Sequence, residues 1–457
     1  MHRKAGLLLK EDFDRAALGR SQDGVVNAAL VVLVLLALLP LAVAIPFVRL
    51  GQNAAAAGVL AFLGRASGIL GLSFLLVAAL ISVRIPGFDL WFGGLTRLWK
   101  IHHVLGALSF LLLMAHPLLL AFASAPVSVK ASAAVLFPDP SAWSVWAGWL
   151  ALTAMAVFLA PTFWFFGRPK YQRWKALHSL SGIAVVLGVA HAVPLSRALP
   201  GVSGKAIWLG YGFLALCAFI YRVFLALHYG RTRYRIVSAE RAGAGIIELT
   251  LQPEDRLLDY APGQFVYLTP LDPGLASGRN EEHPYTLSSS PRETVLRVII
   301  KDAGDATRAL QNVSLGSEAV VEGPYGEFFP LKQKSTRELW IAGGIGLTPF
   351  LSRARTLASN EPVDIDLIYC VQDEMRAHFL SELDRIASEV AGFRLWMHYF
   401  AREGPLSASF VSACCPEFSA REIYLCGPSP LIELARRELR RHKVPARRVH
   451  SEDFTWL

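Results

Sequence analysis

Four histidines stand in or at the edge of long apolar stretches: His102 and His116 in one, His178 and His191 in another. An ionisable side chain inside a helix solvated by lipid is costly, so each is a functional candidate by position alone. His102 and His116 are fourteen residues apart, which on an ideal helix leaves them about 40° from the same stripe and about 21 Å apart along the axis. They share a face. His178 and His191 are thirteen apart, about 20 Å along the axis but about 140° off a common stripe. Alignment of that second pair predicts a local bulge or bend, with Gly182 and Gly188 lying between the two imidazoles. The two stretches then supply two imidazoles at each of two depths. A lone membrane histidine is more often a hydrogen-bonded packing residue, but four at matched depths suit two iron porphyrins, each held by a histidine pair. Bis-histidine iron is coordinatively saturated and fits electron transfer better than direct ligand chemistry. His103 fits the shared face less well and reads as structural or propionate-facing, and His228 reads as interfacial.

Two further constellations occur later in the chain. In HPYTLSSSP (His283–Pro291), Tyr285 can wall an isoalloxazine ring and Thr286 can place a hydroxyl near its reactive nitrogen. GGIGLTPF, with Gly343, Gly344, Gly346, Thr348 and Pro349, follows an apolar strand and opens a helix. Glycines there admit a pyrophosphate to backbone N–H groups, and the helix amino terminus favours the anion. A glycine-rich loop alone is weak evidence; here it is coupled to a second loop, CGP (Cys426, Gly427, Pro428), after a later strand.

The elements that must position these residues follow from composition. With 457 residues, 53% of them hydrophobic, and a mean hydropathy of +0.40, the chain is too long for one ordinary domain and too apolar for a wholly soluble one. Six apolar runs lie at Val25–Val48, Ala66–Val83, Val104–Val129, Ser141–Gly167, Ala176–Ser196 and Ala206–Tyr221. They read as a six-helix transmembrane bundle. The first run is long and lacks a clear small-residue cleavage site, so it is expected to remain in the product. Counting Lys and Arg on alternate sides up to Arg235 gives sixteen against five. That bias puts the amino terminus, and everything after Arg235, in the cytoplasm. The net charge of +9 is largely explained by those loops, so no nucleic-acid partner is expected. Five cysteines without CxxC spacing (Cys217, Cys370, Cys414, Cys415, Cys426) argue against a zinc site, a cysteine-ligated cluster or a disulfide framework.

Beyond about Gly230 come short β-rich runs of the kind that build a small antiparallel barrel, and from about Glu338 apolar strands alternate with helical patterns, as in a parallel α/β sheet. The expected organisation is a cytoplasmic segment over 1–24, a membrane domain over 25–229, a flavin-binding β-barrel over 230–335 and a nucleotide-binding α/β domain over 336–457.

HHVLG followed by HP, LGRASG in the second helix and the later histidine pair together resemble the ferric reductase and NADPH oxidase superfamily. The likeness covers nearly the whole chain. It implies two stacked b-type haems between the third and fifth helices and a ferredoxin–NADP reductase-like dehydrogenase on the cytoplasmic side. It further implies that PGQFVYL (Pro262–Leu268) and the run from His283 and Pro284 onward are the flavin-binding strands. His283 stands where soluble relatives often have Arg. Ser288 and Ser289 are implied donors to the ribityl or phosphate, with Lys301 and Thr307 facing the pyrophosphate. Gly323 and Gly326 are implied to form a tight turn beneath FAD, and Cys426 to border the hydride-transfer site. Phe454 is the implied flavin-stacking aromatic, with Trp456 as runner-up. Arg65 matches an arginine placed beside the outer haem, whereas Leu120 stands where oxidases of this group have a further histidine. NADH and NADPH both remain open, since Gln372 occupies a position commonly Arg in NADPH users and Arg376 lies one turn later.

The activity these readings converge on is transfer of electrons from cytoplasmic NAD(P)H through FAD and two haems to an acceptor across the membrane. That acceptor is oxygen, a ferric chelate or a periplasmic redox protein. A membrane-anchored, haem-free flavin reductase is the main rival, and a transporter gives no reason for an appended dehydrogenase. The absence of a DxDxDG loop argues against calcium control.

Overall fold

The computed structural model describes residues 22–45, 56–160, 171–196, 201–225, 230–329, 337–358 and 362–451. The chain divides into two compact units: one of residues 24–85 and 97–229, the other containing 230–457 together with the connector 86–96.

The first unit is helical. Its elements are α1 (Gln22–Ala44), α2 (Ala56–Ile81), α3 (Leu95–Ser124), the short α4 (Val129–Leu136), α5 (Trp143–Leu159), α6 (Tyr171–His178), α7 (Ser181–Leu195) and α8 (Gly201–Ile220). Four spans are long and apolar enough to cross a membrane, with α6 and α7 counted as one, and two shorter apolar helices accompany them. Large side chains such as Val31, Leu35, Leu111, Val186 and Phe213 point outward, as they do on helices whose solvent is lipid. Inside, small residues and hydroxyls hold the helices together. The Ser73 hydroxyl donates to the Ala37 carbonyl at 2.8 Å, Ser109 to Gly71 at 2.7 Å and Tyr211 to Leu36 at 2.5 Å. Such bonds satisfy polar groups that lipid cannot.

The second unit opens with a six-stranded antiparallel sheet of β1 (Arg231–Gly243), β2 (Ile246–Pro253), β3 (Phe265–Pro270), β4 (His283–Thr286), β5 (Leu296–Lys301) and β6 (Glu318–Tyr325), in the order β4-β3-β6-β1-β2-β5. A bridge from Leu287 to Val298 curls the two edges together, enclosing a core that includes Tyr234, Leu249, Val266 and Val298. The α/β part follows, with strands β7 (Arg337–Gly343), β8 (Asp364–Val371), β9 (Phe393–Tyr399), β10 (Glu422–Cys426) and β11 (Val449–Ser451). All are parallel, in the order β11-β10-β7-β8-β9. This order reverses between β7 and β10, the switch point where open parallel sheets bind nucleotides at their carboxyl edge.

The connector 86–96 departs from the expected boundaries, because it groups with the second unit rather than with the helices it joins. Asp89, 2% exposed, accepts a bond from the Gly326 N–H at 3.2 Å. Burial raises its carboxyl above the usual carboxylate range, against the pull of that backbone bond.

Candidate functional site

In the helical unit the four histidines meet in two pairs. His102 and His178 have ring centroids 6.0 Å apart, and His116 and His191 have theirs 6.2 Å apart. An imidazole nitrogen bonds a metal at about 2 Å, so two rings facing one ion, with each ring's own reach included, put their centroids about 6 Å apart. The spacing fits a bis-histidine porphyrin. Among the described residues no group of three or more His, Cys, Asp or Glu side chains could hold a bare metal ion; pairs suit an ion whose other ligands come from a macrocycle.

The second pair lines a cavity of about 420 Å³ bordered also by Arg65, Gly68, Leu120 and Gly148, within the ~300–1,000 Å³ typical of ligand pockets. His116 Nδ1 lies 2.6 Å from the Gly64 carbonyl and His191 Nδ1 2.8 Å from the Ser144 carbonyl. His102 Nδ1 lies 2.9 Å from the Ala78 carbonyl. A carbonyl can only accept, so each Nδ1 carries the proton and each Nε2 keeps a lone pair for a metal. His178 has no Nδ1 partner among the described residues; it is oriented by Trp174, stacked at 5.0 Å, and by Phe158, edge-on at 5.2 Å.

Part of the roughly 140° mismatch on the fifth span is taken up just after His178. The helix is interrupted there, and Leu180, Gly182 and Ile183 donate three residues back, to Leu177, Ser179 and Leu180. Each residue in such a tightened turn advances about 120° instead of about 100°, the direction that closes the gap. Gly188, by contrast, lies inside regular helix, with its face against Leu72.

On the barrel, β4 carries His283, Pro284, Tyr285 and Thr286 at a sheet edge, paired to β3. The Tyr285 hydroxyl is buried with no partner among the described residues, the feature expected where a ligand group completes the bonding. Ser288 and Ser289 are fully buried and face inward. Ser288 Oγ donates to Glu248 at 2.8 Å, while Ser289 Oγ bonds the Tyr260 hydroxyl at 2.7 Å and accepts from the Arg297 N–H at 2.9 Å. These hydroxyls brace the strand end. Thr307 likewise closes its own turn, accepting from Ala303 N–H at 2.9 Å and donating to the Gly304 carbonyl at 3.1 Å. Lys301 ends β5 with its side chain exposed. Gly323 lies within β6 at a register shift against β3, not in a free turn. A Cβ there would stand 3.1 Å from Val266. Gly326, at φ 90°, follows the strand, and its carbonyl accepts from Gln264 Nε2 at 2.9 Å.

On the α/β part, GGIG and CGP meet backbone to backbone across the switch point. A Cβ on Gly346 would lie 2.4 Å from the Cys426 carbonyl oxygen, and one on Gly343 2.9 Å from Pro428 Cδ. Cys426 is 3% exposed. The loop turns into α9 (Thr348–Ala354), where the Thr348 hydroxyl caps back to Ile345 at 2.8 Å and Pro349 occupies the first turn. This helix is also tied to the flavin motif. Ser352 Oγ donates to the Ser289 carbonyl at 2.6 Å, and the Arg355 guanidinium bonds the Ser288 carbonyl, Glu248 and Glu382 at 2.8–2.9 Å. No motif announces Glu248, Arg355 and Glu382, because each is a single charged residue in an unremarkable run. Phe454 and Trp456 lie outside the described residues.

The chain thus combines a helical, transmembrane-like region with a curled antiparallel sheet and a parallel nucleotide-type sheet. The ferric reductase-like transmembrane component family matches residues 67–189, an FAD-binding domain family residues 231–329 and an oxidoreductase NAD-binding domain family residues 340–437. The chain belongs to the ferric reductase and NADPH oxidase superfamily.

The glycine betaine monooxygenase reductase subunit of Chromohalobacter salexigens is 29% identical over 218 residues, which cover 43% of this chain and 57% of that protein. The ferredoxin reductase component of 3-ketosteroid-9-alpha-monooxygenase from Mycobacterium tuberculosis is 30% identical over 207 residues, covering 44% and 57%. The chain thus spans little more than half the length of these relatives. Among solved structures, the FAD/NAD-binding domain of nitric oxide dioxygenase from Vibrio cholerae is 22% identical. It covers 49% of this chain and 98% of its own, with a TM-score of 0.43.

Proposed function

We propose that this protein carries electrons from cytoplasmic NAD(P)H, by way of FAD and two b-type haems, to an acceptor on the far side of the membrane. The observation that carries the reading is the pair of histidine pairs, with centroids 6.0 and 6.2 Å apart, in a chain that also holds flavin and nicotinamide domains. His102 and His178 would hold the inner haem, and His116 and His191 the outer one. Bound flavin supplies the conversion of a two-electron hydride to single electrons, and bis-histidine haem supplies one-electron transfer without an open coordination site.

The protein's own part is placement. The carbonyls of Ala78, Gly64 and Ser144 hold the protons of three imidazoles away from the metal positions. Tyr285 would wall a bound flavin with Thr286 beside it, and the GGIG and CGP backbones would cradle the dinucleotide, with Cys426 bordering the nicotinamide. The outer cavity is lined by apolar side chains with Arg65 as the one Lys, Arg, Asp or Glu among them. That lining suits oxygen or an anionic ferric chelate. The relatives' names, a reductase subunit and a ferredoxin reductase component, favour a second reading in which the acceptor is another redox protein.

The test is reconstitution in vesicles with the dehydrogenase outward and NADH or NADPH added outside. Superoxide or ferrous iron appearing in the lumen, and lost with His116→Ala, is the expected outcome. Dye reduction that is indifferent to His116→Ala, with no luminal product, would leave a haem-free anchored flavin reductase.

A further inference from the structure

In an α-helix the carbonyl of residue i receives the N–H of residue i+4, and the Cβ of residue i+4 stands beside that same oxygen. A slim hydroxyl can share such a carbonyl beside a larger residue i+4, as Ser73 does at Ala37 with Leu41 four residues on, but a broad imidazole lying where that Cβ would stand needs the space open. His116 bonds the carbonyl of Gly64, and four residues on stands Gly68. A Cβ there would lie 2.6 Å from His116 Nδ1 and 2.8 Å from its Cε1. His191 bonds the carbonyl of Ser144, and four residues on stands Gly148. A Cβ there would lie 2.5 Å from His191 Nδ1 and 2.8 Å from its Cε1. The same device therefore occurs twice, on α2 and on α5, and both copies face the 420 Å³ cavity.

The inner pair shows why glycine is specific to the outer one. His102 bonds the carbonyl of Ala78, but α2 ends at Ile81 and the Ser82 N–H turns to Ala79 instead. The Ala78 oxygen is open because the helix stops, so no glycine is needed.

We infer that Gly68 and Gly148 are positioning residues for the outer histidine pair, each opening a helical carbonyl so that it fixes one imidazole's tautomer and ring plane. This rests on the haem reading above. An imidazole whose Nδ1–H is held by a carbonyl is a stronger donor through Nε2, so the two brackets also strengthen the ligand field at the outer iron.

Gly68→Ala and Gly148→Ala are compared with wild type and with Gly210→Ala, a glycine whose Cβ would meet nothing within 4 Å. Haem per chain is read by pyridine haemochrome, axial ligation by EPR of the oxidised protein, and folding by FAD content and size exclusion. Each outer variant is expected to lose one of two haems, or to keep it with altered low-spin g values and a shifted midpoint potential. The inner haem and the Gly210→Ala protein should match wild type. Two haems with unchanged g values and potentials in both variants overturn the inference. A wild type with no haem sinks the underlying reading instead. If the variants do not fold, ¹⁵N shifts of ring-labelled histidine in reduced wild type decide: Nδ1–H tautomers at His116 and His191 are expected, and Nε2–H tautomers overturn it.

Discussion

Tyr285 shows at the residue scale how a motif becomes a physical site. Its ring packs against the barrel core, and burial pushes its phenol well above the ordinary tyrosine value, so the hydroxyl stays protonated and available to donate. With no protein acceptor among the described residues, that donor would be available to a bound group. Tyr285→Phe should leave the stability of the flavin-free protein nearly unchanged and weaken FAD by about 1 kcal/mol, roughly the net worth of one hydrogen bond. Fluorescence titration of the flavin-depleted protein measures it. Equal affinity for the two proteins would mean that the hydroxyl does not meet the cofactor.

At the scale of elements, the amino-terminal edge of the parallel sheet carries a charge network beside its apolar packing. Asp366, almost fully buried, accepts two bonds from Arg394 at 2.7 and 2.8 Å and one from Trp396 Nε1 at 2.9 Å. Arg421 stands 3.4 Å away and bonds Asp364 at 3.0 Å. Burial alone would raise both carboxyls, but the arginines outweigh it and hold them below the usual range. Their stabilisation is therefore complete above the unfolded value of about 4 and is lost as pH falls through the lower folded value. Asp366→Asn should cost about 3 kcal/mol at pH 7, the low end for a buried pair losing one partner, because Arg421 keeps Asp364. The gap should close as pH falls and wild-type Asp366 itself becomes neutral, read from tryptophan fluorescence during denaturant unfolding. A difference constant from pH 7 to pH 3 contradicts this account. Nothing in the sequence pattern announces this network, since its members come from two separate strands and a loop. What periodicity does convey is the set of apolar helices, the β-to-α/β change near Glu338 and the two glycine loops, because each depends on local spacing. The interruption after His178 was foreseeable only as an angular mismatch. The inward turn of Ser288 and Ser289 depends on Glu248 and Tyr260, which lie some thirty to forty residues earlier and meet them only through the sheet.

For the whole molecule, the two compact units do not follow the simple order of segments along the chain. The connector 86–96 belongs with the dehydrogenase, so the chain leaves the helical unit after α2, meets the flavin-type unit at Asp89 and returns as α3, the helix that bears His102 and His116. The two compact units are in this way interleaved in one polypeptide between the second and third apolar spans, and the proposed function rests on what the four histidines hold. The direct measurement is haem stoichiometry and the reduced-minus-oxidised spectrum of the purified protein and its four single histidine-to-alanine variants. Two b-type haems per chain are predicted for wild type, with His102→Ala and His178→Ala each losing the same one and His116→Ala and His191→Ala each losing the other. A wild type without a Soret band, or four variants that retain both haems, would contradict the account.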